Sequence, residues 1–286
     1  MTAAPAILRR FIDLPEGQMH LREAGRDISG RLPLVLLHQA SGGSRTMVPL
    51  MRVIGAGRPV MAPDLPGNGD SCPPLRAEPD MADYAAAVLR MLDAAGIDRV
   101  ALYGFHAGAS VAAELAVAHP ERVAAVILDS MGLYDPAGAA DFADRYVPEL
   151  RRHPHGLHLI AAWNYVRDTY LFWPWFETDA AHARGVGLPP LDEMHDKVVE
   201  VIKAMDHFGA YYRAAFLHEK PALLPRIAGP VLVTAGRDNS QAAHLPDLAA
   251  LVPGAETLVT EGIYRPETAV ATAEALVGWL DRVLRD

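Results

Sequence analysis

The stretch from Val100 to Ala116 constrains the fold of this chain more than any other part of the sequence. A short apolar run is followed by Gly-Phe-His-Ala-Gly at 104–108 and then by a run of small residues. Glycines on both sides of a tight turn allow the central residue, His106, to adopt a strained backbone with its side chain projecting outward. The sequence therefore predicts a strand, a sharp turn and a helix, with His106 at the tip of the turn.

Strand-like apolar runs alternate with helix-like segments over most of the chain. Strands are predicted at Arg9–Leu14, Gln18–Glu23, Pro33–Leu37, Pro59–Ala62, Val100–Tyr103, Val123–Leu128, Pro230–Thr234 and Glu256–Thr260. Helices are predicted at Asp80–Ala95, near Ala242–Leu251 and at Pro266–Leu284. The first two strands pair as a hairpin, and the later alternation predicts an α/β fold with a mainly parallel, doubly wound sheet. Functional side chains are then expected at the carboxyl ends of the strands.

The segment from residue 134 to 225 interrupts this alternation. It contains three of the four tryptophans, several tyrosines and many of the histidines. We interpret it as a mostly helical insertion, called the cap below. The remaining residues form one core domain in two parts, 1–133 and 226–286.

Composition and charge narrow the class of partner. The formal net charge of −9 disfavours nucleic acid or an anionic membrane surface. The single cysteine, Cys72, excludes an internal disulfide and fits a reducing compartment. No apolar stretch is long enough to span a bilayer, and the first residues lack the apolar segment of a signal peptide. We therefore expect a cytoplasmic protein that acts on a small molecule, with no membrane partner.

Motifs for a bound cofactor or metal are missing from the sequence. Neither G-x-G-x-x-G nor a P-loop is present. The histidines of the cap have neither the H-E-x-x-H spacing nor cysteine partners. We therefore expect no cofactor and no metal.

Four motifs, taken in order, resemble those of the α/β-hydrolase superfamily. LLHQASGGS is similar to its oxyanion loop, and APDLPGNGDS to its D-x-P-G-x-G-x-S motif. YGFHAGASVA resembles the nucleophile elbow, and LVTAGRDN resembles the loop that carries the catalytic acid. The resemblance covers nearly the whole chain. It implies the α/β-hydrolase fold with a helical cap at 134–225.

Two departures from the superfamily pattern affect the chemistry. His106 stands at the elbow, where members of the superfamily carry Ser, Cys or Asp. The position of the C-terminal catalytic histidine holds Ile263, followed by Tyr264. A Ser–His–Asp relay cannot be built from these residues.

Together the two departures point to a different catalytic pair. The imidazole of His106 is large enough to occupy the space of the missing base and to bond a carboxylate directly. A carboxylate would fix the tautomer and leave the other ring nitrogen as a base near neutral pH. Asp238, after the seventh predicted strand, is the first choice of partner, and Asp129, after the sixth, is the second. Alternatively, these aspartates only cap turns. A separate alternative is that His207 or His244 supplies the base.

Substrate contacts are predicted from the loops and from the cap. The backbone N–H groups of Ala40 and Ala107 are expected to form an oxyanion hole. Gln39, which replaces a glycine of the superfamily motif, either faces the pocket or braces the loop. Further substrate-binding residues are predicted at Tyr264 and, within the cap, at Trp163, Arg167, Trp175 and Phe176.

These observations predict an enzyme that hydrolyses a small apolar ester, lactone or amide, with His106 as base or nucleophile. Two alternatives stay open. One is a cofactor-free lyase, decarboxylase or isomerase in which His106 is a general base, and the other is a non-catalytic protein that binds a small ligand. A homodimer is possible, but the apolar face of the last helix is expected to pack on the sheet.

Overall fold

The computed structural model describes residues 5–26 and 28–284. Its centre is an eight-stranded sheet with the strand order β1-β2-β4-β3-β5-β6-β7-β8. The strands are β1 Leu8–Leu14, β2 Gly17–Ala24, β3 Leu34–Leu37, β4 Val60–Pro63, β5 Val100–Phe105, β6 Val123–Asp129, β7 Val231–Gly236 and β8 Glu256–Thr260. Strand β2 is antiparallel to both of its neighbours, and β3 to β8 are parallel. The predicted α/β class, the hairpin and each predicted strand are confirmed.

Ten α-helices accompany the sheet in the described residues. They are α1 Val48–Ile54, α2 Met81–Ala94, α3 Ala107–Ala118, α4 Pro136–Arg145, α5 Leu157–Leu171, α6 Leu191–Ala204, α7 Phe208–Phe216, α8 Lys220–Leu223, α9 Leu245–Leu251 and α10 Pro266–Leu284. The central strands β3 to β7 are buried along their whole length, because helices cover both faces of the sheet. Helices α1 and α10 pack on one face, and α2, α3 and α9 pack on the other. This two-sided packing is the doubly wound arrangement that the sequence predicts.

Helix α10 packs on the sheet through a stripe of small and aliphatic side chains. Four of its residues are fully buried in the core on that face, namely Ala269, Ala273, Leu276 and Leu280. The expectation that this apolar face covers the sheet is confirmed. No helix in the described part of the chain is long and apolar enough to cross a membrane.

The cap lies between β6 and β7, and its named elements are helices α4 to α8 with a short 3-10 turn. Helix α5 packs on α6, and α4 packs on α7. Tyrosine, phenylalanine and tryptophan side chains fill the space between these helices. Cap residues and residues from the carboxyl ends of the strands together enclose a cavity.

Candidate active site

The turn after β5 holds His106 in a strained conformation. Its backbone has φ 49° and ψ −113°, a region that only glycine adopts without cost. The flanking glycines are required by close packing. A Cβ on Gly108 would lie 2.2 Å from the carbonyl oxygen of Leu37, and one on Gly104 would lie 2.3 Å from that of Gly108. The predicted strand, turn and helix are therefore present, with His106 at the tip.

The imidazole of His106 contacts a side-chain amide. Its Nε2 lies 3.2 Å from Nδ2 of Asn239. The Oδ1 of the same amide accepts a hydrogen bond from the backbone N–H of Gln241, which leaves Nδ2 as the donor to the ring. Nε2 is therefore an acceptor, and Nδ1 carries the proton of the neutral ring.

His106 is neutral at physiological pH. Burial lowers the pKa of its imidazole to about 3, and the positive charges of Lys197 and Arg184 lower it further. A neutral imidazole has a free lone pair, which is the form required of a nucleophile or base.

The predicted pair of His106 with a carboxylate is not formed in this structure. Asp238 is exposed at the rim of the cavity, and its side chain makes no hydrogen bond within residues 5–26 and 28–284. The cause is the tight turn after β7, in which the N–H of Asn239 bonds the carbonyl of Gly236. This turn directs Arg237 and Asp238 to solvent and Asn239 to the ring of His106. The sequence therefore identifies the loop that faces His106 but not the residue of that loop that contacts it.

Asp129, the second predicted partner, lies in the cavity wall and is 1% exposed. Its carboxylate accepts hydrogen bonds from the Tyr103 hydroxyl at 2.6 Å and the Ser130 hydroxyl at 2.8 Å. Its only hydrogen bond to His106 is made by the backbone: the carbonyl oxygen of Asp129 accepts a hydrogen bond from the backbone N–H of His106 at 2.9 Å. Burial raises the pKa of Asp129 to about 6, although both hydroxyl contacts oppose the rise.

We expect Asp129→Asn to stabilise the fold in a pH-dependent way. The carboxyl group titrates near 3.8 when unfolded and near 6 when folded, so its ionisation opposes folding. The wild type therefore loses stability as pH rises from 3.8 to 6, and the variant does not. Relative to wild type, the free energy of unfolding of the variant should rise between pH 4 and pH 7.5 by about 2–3 kcal/mol. Urea titrations at both pH values measure this difference. The exposed Asp238→Asn is the control, and an equal pH dependence for the two variants would contradict the expectation.

Both predicted oxyanion residues border the cavity. Ala107 is the first residue of α3, so its N–H has no acceptor within the helix, and the helix terminus favours negative charge there. Ala40 follows β3 and is 1% exposed. His38 braces this loop: its Nδ1 donates to the carbonyl of Gln39 at 2.7 Å, and its Nε2 accepts the N–H of Leu65 at 2.9 Å. Burial lowers the pKa of His38 to about 4, so the ring is neutral.

Gln39 faces the cavity and also braces the loop, so the two sequence-based alternatives are combined in one side chain. Its Nε2 donates to the Thr46 hydroxyl at 3.4 Å. Its Oε1 is buried without a hydrogen-bond partner in the described residues. An unpaired buried carbonyl oxygen costs free energy.

The cavity has a volume of about 300 Å³ and is aromatic on the cap side. Six tyrosines, one tryptophan and two phenylalanines contribute to its wall: Tyr134, Tyr146, Tyr165, Tyr170, Tyr212, Tyr264, Trp173, Phe105 and Phe216. The hydroxyl of Tyr212 meets that of Tyr165 at 3.2 Å and that of Ser41 at 3.4 Å, beside the oxyanion loop. The cavity therefore suits a small, largely apolar molecule that carries a few polar groups.

Two of the six predicted substrate contacts, Gln39 and Tyr264, line the cavity, and the four in the cap do not. Trp175 and Phe176 belong to the packing of the cap itself. The indole Nε1 of Trp175 donates to the carbonyl of Tyr146 at 2.7 Å, and the ring of Phe176 lies under a guanidinium. Neighbouring Trp173 faces the cavity instead, because the segment that follows α5 turns there.

The remaining two predicted cap contacts lie on the outer part of α5. Trp163 is half-buried outside the cavity wall, and Arg167 pairs with adjacent Asp168. The basic residues of the cavity wall are instead Arg184, Lys197, Lys220 and Arg265. Neither His207 nor His244, the alternative bases, belongs to the cavity wall.

The position of the missing C-terminal histidine is occupied by a core residue. Ile263 is 2% exposed and packs with the residues of α10. Tyr264 follows it and contacts Phe105 with ring centroids 5.6 Å apart. Asn239 is the neighbour of His106 that sequence reasoning missed, and the available signal was its place next to Asp238 in the acid loop.

A mainly parallel sheet, a strained turn at the carboxyl end of its central strand and a helical cap above that turn define an α/β hydrolase. The model of the family described as "alpha/beta hydrolase fold" matches residues 33–264. The chain belongs to this family.

Known proteins similar to the chain include two curated relatives and a solved structure. The 2-hydroxy-6-oxononadienedioate/2-hydroxy-6-oxononatrienedioate hydrolase 1 of Dechloromonas aromatica is 31% identical over 48% of this chain and 49% of its own length. The dihydrolipoyllysine-residue acetyltransferase component of the acetoin cleaving system of Cupriavidus necator is 43% identical over 29% of this chain and 20% of its own length. The chain thus spans less than half of either relative. The enol-lactonase of Burkholderia xenovorans LB400 shares the fold with a TM-score of 0.74 and 19% identity, over 95% of this chain and 99% of that one.

Proposed function

We propose that this chain is an enzyme that hydrolyses a small ester, lactone or amide, and that His106 is its reacting side chain. The observation that carries the proposal is the neutral imidazole at a strained turn, beside the cavity and between the loops of Ala40 and Ala107. Strain of about 1–3 kcal/mol at one residue persists only where the surrounding structure enforces it, which is a feature of functional sites.

The proposed reaction begins with the neutral ring. Nε2 leaves its contact with Asn239 and attacks the carbonyl carbon of the substrate, while the carbonyl oxygen accepts the N–H groups of Ala40 and Ala107. The tetrahedral intermediate expels the alcohol or amine, which takes the proton from Nδ1 and leaves an acyl-imidazole. Water then cleaves the acyl–nitrogen bond, releases the acid and restores the neutral ring.

The comparisons support hydrolysis as the reaction class. The Dechloromonas relative is named a hydrolase, and the Burkholderia structure is named an enol-lactonase. The curated matches are partial and the structural neighbour has low sequence identity, so the proposal rests on the geometry around His106.

A panel of p-nitrophenyl acetate and butyrate with γ- and δ-lactones tests the proposed function. We expect turnover by the wild type at pH 7.5, and an acyl adduct on His106 in acid-quenched protein by peptide mass spectrometry. The surface residue His153 provides the internal control, because its peptide should carry no adduct. Absence of turnover with every member of the panel would contradict the proposal.

A cofactor-free lyase or isomerase is the second candidate function. Asp129 favours it, because a cavity carboxyl with a pKa of about 6 can take up and return a proton near neutral pH. The two candidates differ in stoichiometry: hydrolysis consumes one water per turnover and incorporates its oxygen into the product. Reaction in water labelled with oxygen-18 distinguishes them. A cytoplasmic location and a homodimer stay predictions.

A further inference from the structure

We propose that the cavity contains an anion subsite, formed by Lys220 and Ser110, which binds a carboxylate of the substrate. This inference rests on the proposed function, because it assumes that the bound molecule is the substrate. It narrows the substrate class to esters, lactones or amides that carry a carboxylate. The subsite itself is a binding site, and its existence does not depend on the reaction at His106.

Lys220 is a buried cation on the cavity wall. Its side chain is 5% exposed, and no ion pair joins it to a carboxylate in the described part of the chain. Buried lysines without a charged partner are rare in folded proteins. Burial lowers the pKa of the ammonium group to about 8, so most of it remains charged at pH 7.

One N–H of the Lys220 ammonium group is available to a ligand. The group has three donors, and Nζ contacts the carbonyls of Ala215 at 2.7 Å and His218 at 3.5 Å. These bonds stabilise the C-terminal end of α7, where a lysine is favourable. That structural role accounts for two donors, and it explains neither the third donor nor the position of the side chain on the cavity.

Ser110 provides an independent observation at the same cavity. It is 1% exposed, and its Oγ has no hydrogen-bond partner among the residues described. A buried hydroxyl without a partner costs about 1–3 kcal/mol, and serine is also a weaker helix former than alanine inside α3. A ligand oxygen that accepts this hydroxyl would recover that cost.

The packing of α3 brings Ser110 and Lys220 to the same region. Ser110 and Glu114 are one helical turn apart on the same face of α3. The carboxylate of Glu114 contacts Nε2 of His218 at 2.8 Å, and Lys220 bonds the carbonyl of that same histidine. Ser110 and Lys220 are thus linked through the contacts of Glu114 and His218, and both line the same cavity.

The position along α3 sets the distance between the two ends of the substrate. Ser110 is four residues beyond His106, which corresponds to roughly 6 Å along the helix axis. A carboxylate bound there fits a substrate whose acid group is a few bonds from the reacting carbonyl. The cavity volume of about 300 Å³ fits such a short molecule.

Three of the four acidic groups of the cavity wall are engaged elsewhere, and the fourth, Asp238, lies exposed at the rim. Glu193 accepts the hydroxyl of Tyr170, and Glu261 pairs with Arg237. Asp129 accepts two hydroxyl groups, as described above. These contacts leave Lys220 as a cation for an incoming anion.

Binding of glutarate, a C5 dicarboxylate, tests the subsite. Titration calorimetry at pH 7 and low ionic strength compares glutarate with neutral butyramide on the full chain. We expect the wild type to bind glutarate in preference to butyramide. Lys220→Met should weaken glutarate binding by at least about 10-fold, and Ser110→Ala by about 3- to 10-fold. Lys203→Met removes an equal charge from the surface, where that lysine pairs with Asp70, and should leave the affinity unchanged.

The outcomes separate a binding role from a structural one. Lys220→Met is expected to lower Tm because the end of α7 loses its contacts, whereas Ser110→Ala should not, since its hydroxyl has no protein partner. Ser110→Ala therefore tests the subsite even if Lys220→Met fails to fold. Unchanged glutarate affinity in Ser110→Ala, or no glutarate binding by the wild type, would overturn the proposal. Glutarate binding that is retained in His106→Ala, with no ester turnover by the wild type, would support the subsite and refute the proposed hydrolysis.

Discussion

His106→Ala is expected to reduce kcat/KM for the aryl esters by at least about 10³-fold while the protein stays folded. The imidazole is the nucleophile of the proposed reaction, and the one side-chain hydrogen bond described for it is the contact with Asn239. Stopped assays with p-nitrophenyl butyrate measure the loss, and circular dichroism with Tm checks the fold. Retention of more than a tenth of the wild-type rate would refute the role of His106.

Two further substitutions at His106 sharpen this result. His106→Gly should also be inactive but more stable by about 1–2 kcal/mol, because glycine relieves the strain at φ 49°. Added imidazole should restore part of its activity by entering the space of the deleted ring. His106→Ser should stay inactive, because Ile263 stands where the superfamily carries the base that activates serine. Activity in this variant equal to that of wild type would show that another group supplies the base.

The position of His106 could be predicted because its cause is local. Closely spaced glycines after a buried strand define the turn whatever the rest of the chain does. The apolar runs likewise predict the central strands β3 to β7 to within about two residues, because strands buried on both faces must be apolar throughout. Elements with a local cause were therefore recovered from the sequence.

The side chain that contacts His106 could not be predicted, because the conformation of the loop after β7 decides which of two adjacent residues faces the ring. Asp238 and Asn239 both suit a turn after β7, and no periodicity decides which of them points inward. The choice follows from the bond between Asn239 and Gly236, which only the folded turn shows. The unpaired hydroxyl of Ser110 could not be predicted from the sequence either, since a single serine in a helix does not indicate whether its hydroxyl has a hydrogen-bond partner.

The aromatic residues of the cap that line the cavity could not be predicted, for a related reason. A cluster such as Trp173, Trp175 and Phe176 must bury some of its rings in the core of the cap. Composition alone does not indicate which rings pack in that core and which face the cavity. In the structure, Trp175 and Phe176 pack inside the cap while Trp173 faces the cavity. Packing between helices makes this division, and it involves residues far apart in sequence.

Gly108→Ala is expected to destabilise the fold by about 4 kcal/mol, above the usual range of about 1–3 kcal/mol for overpacking. The added Cβ would meet the carbonyl oxygens of Leu37 at 2.2 Å and His38 at 2.7 Å. Both are backbone atoms, one at the end of β3 and one in the loop that leads to Ala40, so they cannot move aside as a flexible side chain would. Relief of the clash requires α3 to shift away from β3, which also separates Ala107 from Ala40 across the cavity.

Gly278→Ala provides the matched control for Gly108→Ala. Both glycines lie in helices, but a Cβ on Gly278 in α10 would meet no atom within 4 Å apart from its chain neighbours and the adjacent backbone of its own helix. The same change should therefore stabilise the protein there by about 0.5–1 kcal/mol, through helix propensity alone. Urea denaturation of the two variants measures both effects. Equal stabilities would mean that α3 and the oxyanion loop are not held at the close distance on which the oxyanion hole depends.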